Sequence, residues 1–189
     1  MTDMSRSRAA LYGHRYAVVT GHHLATRAAC AELEQNGSLV DAMIAASAVL
    51  TVVLPHATSL GGCGMALLHD ASSGRTRALN GSGIAPGRAT PTLFGDAVDA
   101  RGPRSWVVPG LVRLWAQAHR TQGRRPWATL FRHAIELAAD GAAFSSEVAR
   151  NLAIAVHQVR GQPGFTQAFQ VDGHDRQAGT PWVQAALAE

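Results

Sequence analysis

Apolar and polar positions recur along this chain in distinct rhythms, and each rhythm predicts an element. Tyr16-Ala17-Val18-Val19-Thr20 is short and β-branched, which predicts a strand. Gly21-His22-His23 marks a turn. Residues 24–35 then take a helical period, with Ala29, Cys30 and Leu33 on one face and Asn36-Gly37 as the stop. Ser38 opens a second helix and places Asp41 in its first turn, where an acid meets the positive end of the helix dipole. Beyond Asp41 the run to Leu54 is apolar nearly all round and rich in alanine. Such a helix is buried on every side, and its small residues let neighbours approach closely. Pro55 ends it.

The glycine cluster Gly61-Gly62-Cys63-Gly64 follows, and then a predicted hairpin: a strand over residues 65–68, a turn at Ser72-Ser73-Gly74 and a returning strand over residues 75–79. Residues 81–91 are expected to form a loop, residues 94–104 a flexible connection and residues 105–108 a short extended piece. Pro109 stands where a helix would begin. Leu111, Leu114, Trp115 and Ala118 keep amphipathic helical spacing, as do Trp127, Leu130, Phe131, Ala134, Ile135 and Ala138, with Gly141 as the stop. Ser145 caps a further helix that carries Val148, Leu152, Ala155 and Val156 on one face. Gly161-Gln162-Pro163-Gly164 interrupts the pattern, and residues 182–187 hold one or two helical turns. The expected organisation is a flexible lead over residues 1–15 and a single α/β (α+β) unit over residues 16–189.

Composition narrows the function classes. A chain of 189 residues that is 47% hydrophobic and 16% charged suits one globular domain. All 17 basic residues are Arg and the net charge is +4. These arginines are scattered, with Arg124 and Arg125 adjacent, which describes a solvated surface and not a nucleic-acid-binding stripe. The two cysteines, Cys30 and Cys63, cannot make a disulfide framework, and a reducing compartment is the simpler expectation. The lead has no apolar core of the signal-peptide kind, so the expected location is cytoplasmic. The most apolar run, broken by Asp41, Ser47 and Thr51, is short of the ~20 residues of a membrane span, so no membrane partner is expected.

The candidate chemistry is sparse. The glycine cluster could hold an anion on backbone N–H groups, but its order of helix, glycines and strand is not that of a dinucleotide site. The simpler reading is close approach between the buried helix and the strand. His14, His22, His23, His56 and His69 show no metal-ligand spacing. Cys63 would need a basic partner to act as a nucleophile, and a buried, inert thiol is the plainer expectation. Cys30 is assigned to the core. Asp41, at a buried helix N-terminus, should titrate low and act structurally, not as a base. No metal and no cofactor is expected. From these residues alone the chain is an α/β domain without an evident catalytic set.

The same residues carry a family likeness. Leu24-Ala25 through Gly37, Val40-Asp41-Ala42, Pro55, the glycine cluster, Ala85-Pro86 and Ala89-Thr90-Pro91 with Leu93-Phe94 resemble the start of the large subunit of γ-glutamyltranspeptidases. Val107-Val108-Pro109-Gly110, Trp127 with Leu130, Ala134-Ile135-Glu136-Leu137-Ala138 with Gly141, and the stretch from Gly179 to Leu187 continue the likeness. It extends from about Tyr16 to Glu189.

The resemblance implies a four-layer αββα fold of the N-terminal-nucleophile hydrolase type. In that family a precursor cuts itself, and the new N-terminal Thr of the small subunit attacks a γ-glutamyl amide, with its own amine able to serve as base. No Thr of this chain follows a recognisable processing site, so no catalytic residue is expected within it. A Thr-bearing small-subunit-like chain, or a continuation, is the implied partner, and a small molecule the implied substrate. Where the family carries an Arg-Glu pair shortly before Ala-Pro, this chain has Ser82 and Gly83. The family's Arg clamps the substrate α-carboxylate, a bidentate task suited to guanidinium. Its loss points away from glutathione-like substrates and leaves open a divergent, antibiotic-pathway member that cleaves a C–C bond on the way to alkylprolines. A non-catalytic remnant or truncated scaffold protein is the alternative from a different class. Half of a four-layer fold should also leave one sheet face apolar and uncovered.

Overall fold

The computed structural model describes residues 10, 12–98, 102 and 104–189. Most of the expected flexible lead and part of the expected 94–104 connection lie outside the described residues.

Two antiparallel helices form the centre. Helix α1 (His23–Glu34) starts on the His22 ring, whose Nδ1 accepts the Leu24 amide at 3.2 Å, and Asn36 ends the turn that follows it with φ of 61°. Helix α2 (Leu39–Val53) is held by a capping box: the Asp41 amide donates to Ser38 Oγ at 3.0 Å and the Ser38 amide donates to Asp41 Oδ2 at 2.7 Å. The burial expected of α2 is observed for Ile44, Ala45, Ala48, Val49 and Val52. One stripe departs from it. Leu39 is 70% exposed, and Met43 and Leu50 are half-buried.

The hairpin pairs β1 (Gly64–Asp70) with β2 (Arg75–Gly81), Leu67 opposite Ala78. Ala66, Leu68 and Leu79 turn toward the core, while Met65 and Leu67 are each 76% exposed on the other face. Met65, Leu67 and Ala78 leave apolar groups exposed on that face, beside the polar His69, Thr76 and Asn80. After a short helix α3 (Pro91–Phe94), α4 (Leu111–Gln122) lays Leu111, Leu114, Trp115 and Ala118 into the core. The expected Trp127 helix is a 3-10 segment over Trp127–Phe131 that runs into α5 (Arg132–Asp140), and Gly141 ends it with φ of 93°. Helix α6 (Ser146–Val159) is capped by Ser145, as the sequence suggests. Strand β3 (Ala142–Ala143), helix α7 (Phe165–Phe169), strands β4 (Gln170–Val171), β5 (His174–Asp175) and β6 (Pro181–Trp182) and helix α8 (Ala185–Ala188) complete the chain. Gln184 ties this last part to the centre, its side-chain amide donating to the Val52 carbonyl at 2.9 Å.

Several expectations are corrected. Residues 16–20 form no strand and pair with none of the described strands. Pro109 is not the first helical residue; Gly110 caps α4 and Leu111 begins it. Trp182 is not helical, since it pairs with Ala142 in a short bridge and donates its indole N–H to the Ala168 carbonyl at 2.9 Å. Cys63 is exposed and not buried, and Cys30 is only half-buried.

Candidate functional site

The far ends of the hairpin strands, the loop after β2 and the start of α4 meet in one corner, and glycines make the meeting possible. A Cβ on Gly81 would lie 2.7 Å from Leu114 Cβ and 2.8 Å from the Gly110 carbonyl oxygen. One on Gly64 would lie 2.8 Å from Leu111 Cδ1. The close approach expected of the glycine cluster is therefore real, but its partner is α4 and not α2. Gly62 contributes differently. Its carbonyl accepts the Gly110 amide at 3.1 Å and the Leu111 amide at 3.2 Å, so a backbone carbonyl satisfies donors that α4, lacking a side-chain cap, would leave unpaired.

Ser82 and Gly83 sit in this corner on the loop leaving β2. Asn80 Oδ1 accepts the Ser82 amide at 3.0 Å and also the Ser82 hydroxyl, an Asx turn that fixes the loop. Gly83 has φ of 82° and its missing side chain clears the Val108 carbonyl, while the Val108 amide donates to the Ile84 carbonyl at 2.9 Å. The Ser82 hydroxyl proton is thus committed to Asn80, and toward a ligand Ser82 offers lone pairs. Position 82 supplies no cation for a carboxylate. Sequence reasoning missed Asn80, although Asn two residues before Ser at a Gly-containing turn is a recognisable Asx signal.

The other candidates are dispersed. His22 and His23 stack with centroids 4.5 Å apart, and burial together with the His23 charge depresses the His22 pKa below 6.5 against an opposing pull from Glu147. His56 Nε2 lies 3.6 Å from Glu147 Oε1. His69 Nδ1 and Thr76 Oγ1 face each other at 2.9 Å as an exposed cross-strand pair. Among the described residues no three His, Cys, Asp or Glu side chains converge to hold a metal, and no helix is long and apolar enough to cross a membrane.

Asp41 is fully buried and its role is structural. Its Oδ2 accepts the amides of Ser38, Arg124 and Arg125 at 2.7, 3.0 and 3.2 Å. Burial pushes its pKa up, but the bonds from Ser38 and from the Arg124 and Arg125 amides outweigh that and hold it below 3.8. Beside it, Arg125 Nε donates to the buried Glu32 Oε2 at 3.3 Å. The two buried acids pin the turn after α4 to the α1–α2 corner.

Residues 25–189 match the gamma-glutamyltranspeptidase family. The chain belongs to that family. Among curated proteins it is 36% identical over 178 residues to the oxamate amidohydrolase proenzyme of Klebsiella pneumoniae, covering 90% of this chain and 34% of that protein. Among solved structures it resembles Helicobacter pylori γ-glutamyltranspeptidase with a TM-score of 0.89 at 30% identity, over 95% of this chain and 54% of that one. It also resembles a cephalosporin acylase from Bacillus halodurans, with a TM-score of 0.81 at 26% identity, over 98% of this chain and 38% of that one. The chain spans about a third of the Klebsiella relative's length and about half of the Helicobacter chain. What is shared is the mixed α/β portion described above.

Proposed function

We propose that this polypeptide is the first part of a γ-glutamyltransferase-like hydrolase or acyltransferase, and that its nucleophile is an N-terminal Thr carried by a separate chain or a continuation. The observation that carries this reading is the coverage: nearly all of this chain superimposes on only about half of the matched Helicobacter chain, and it spans about a third of the Klebsiella proenzyme. The apolar outer face of the hairpin supports it. Met65 and Leu67 are each 76% exposed, as expected of a face that a second layer covers. In this reading the chain supplies helix layers, part of one sheet and the substrate loop, and the partner supplies the attacking hydroxyl and the amine that takes its proton.

The substrate follows from position 82. With Ser82 bound to Asn80 and Gly83 beside it, the loop lacks the guanidinium that would clamp an α-carboxylate. Such a charge-assisted contact is worth on the order of 2–5 kcal/mol of binding. We therefore place the substrate among amides related to γ-glutamyl compounds but held by fewer charges. The name of the Klebsiella relative, an oxamate amidohydrolase, accords with a small amide. The same loop favours, as second reading, a divergent member that cleaves a C–C bond in an alkylproline-type pathway.

Native mass spectrometry of the protein taken from its own source tests the proposal. A complex containing a polypeptide that begins with Thr and hydrolyses a small amide supports it. A lone chain of 19.9 kDa without activity would identify a non-catalytic scaffold instead.

A further inference from the structure

His22 holds the start of α1 with both its backbone and its ring. Its carbonyl accepts the Ala25 amide at 3.0 Å and the Thr26 amide at 3.1 Å, and its Nδ1 accepts the Leu24 amide at 3.2 Å. The Leu24 amide has no other acceptor among the described residues. A ring nitrogen accepts only while it carries no proton, so this bond requires the neutral imidazole with its proton on Nε2. The oxygen of a Ser, Thr or Asn cap has no such condition. His22 also reaches back along the chain. Its amide donates to Thr20 Oγ1 at 3.4 Å, and the Thr20 hydroxyl donates to the His22 carbonyl at 2.7 Å. Thr26 Oγ1 closes the group, 2.8 Å from Thr20 Oγ1. One residue thus joins the segment before α1 to its first turn.

We propose that His22 is a pH-sensitive cap, and that its protonation releases the first turn of α1 together with the Thr20 contacts. An imidazolium at this position turns its Nδ1 proton against the Leu24 N–H and puts a positive charge at the positive end of the helix dipole. Two groups of variable charge act on it. His23, on its own helix, stacks over the ring with centroids 4.5 Å apart. Glu147, in the first turn of α6, attracts the imidazolium, but that carboxylate also lies 3.6 Å from His56 Nε2 and is shared with it. Burial first, and His23 second, outweigh Glu147 and keep the His22 pKa below 6.5. The fold therefore favours the neutral ring. The cap is complete above pH 6.5 and is lost as pH falls through the lower folded value. The corner is closed at neutral pH and open in acid.

Nuclear magnetic resonance of the full chain, labelled with nitrogen-15, tests this. At neutral pH the His22 ring should show a bare Nδ1 and a protonated Nε2. As pH falls below 6.5, the Leu24 amide, corrected for its intrinsic exchange rate, should lose protection by about fivefold, in step with the His22 ring titration. His22→Asn supplies an oxygen cap that does not titrate, and Leu24 protection should then stay constant over the same range. A neutral ring that carries its proton on Nδ1 would overturn the proposal, as would Leu24 protection that stays flat while the ring titrates. Both readouts come from the wild-type chain and need no variant to fold. Unchanged pH dependence in His22→Asn would also overturn it, and its loss in His56→Gln would assign the effect to the His56–Glu147 pair instead.

Discussion

Asp41 Oδ2 accepts the backbone N–H of Arg124 at 3.0 Å across 83 residues of sequence. The carboxylate that caps α2 is therefore also the anchor of the turn between α4 and the Trp127 segment. Asp41→Ala should strand three donors, the amides of Ser38, Arg124 and Arg125. A loss of about 3 kcal/mol is expected, read from the urea midpoint of the chain. Asp41→Asn keeps an acceptor oxygen and should lose less.

The same carboxyl gives a pH signature. Its pKa in the folded state is held below the ordinary 3.8, so its contribution to stability is complete above that value. The contribution fades as pH falls through the lower folded value, where the native carboxylate takes up its proton. The advantage of wild type over Asp41→Asn in urea unfolding should be constant from about pH 7 to pH 5 and shrink below pH 3.8. An advantage that persists unchanged to about pH 2 would contradict the assignment.

Arg125 neutralises a carboxylate that cannot reach water, since the Glu32 side chain is only 2% exposed. Arg125→Ala should cost about 3 kcal/mol by leaving that charge unpaired. Glu32→Gln in the same background should recover a good part of it. The double-mutant cycle by thermal melting measures the coupling.

Gly81→Ala places a methyl against Leu114 Cβ and the Gly110 carbonyl, neither of which can swing aside. The expected cost is about 2 kcal/mol, seen as a lowered melting temperature. Gly61→Ala meets nothing within 4 Å and should melt within about 0.5 kcal/mol of wild type.

Met65 and Leu67, each 76% exposed, should make the isolated chain bind a hydrophobic dye. A Met65→Ser, Leu67→Ser variant should bind less dye at unchanged melting temperature, since neither side chain contributes to the core. Equal dye binding by the variant would place the apolar surface elsewhere.

The elements that could be read from sequence are those whose causes are local. Ser38 with Asp41, the alanine-rich run to Leu54, Ser145 ahead of Val148 and Gly141 after Ala138 each announce a cap, a period or a stop within a few residues. The site was legible only as a substitution: Ser82 and Gly83 stand out against a family pattern, and nothing nearby in sequence says that Gly83 meets the Val108 carbonyl. Asn80, two residues before Ser82, carries the local signal of the turn. Glu32 carries no local sign of burial, because its partner Arg125 lies far along the chain.

By itself, then, the sequence determined the five longer helices, the hairpin and the family, since backbone preference and hydrophobic period act over one or two turns. Tertiary structure alone decided that the glycines serve α4 and not α2, that Cys63 faces solvent and that residues 16–20 pair with no described strand. A strand exists only through hydrogen bonds to another strand, and the contact a glycine permits depends on what arrives opposite it. Both are set by residues tens of positions away, which no local pattern encodes.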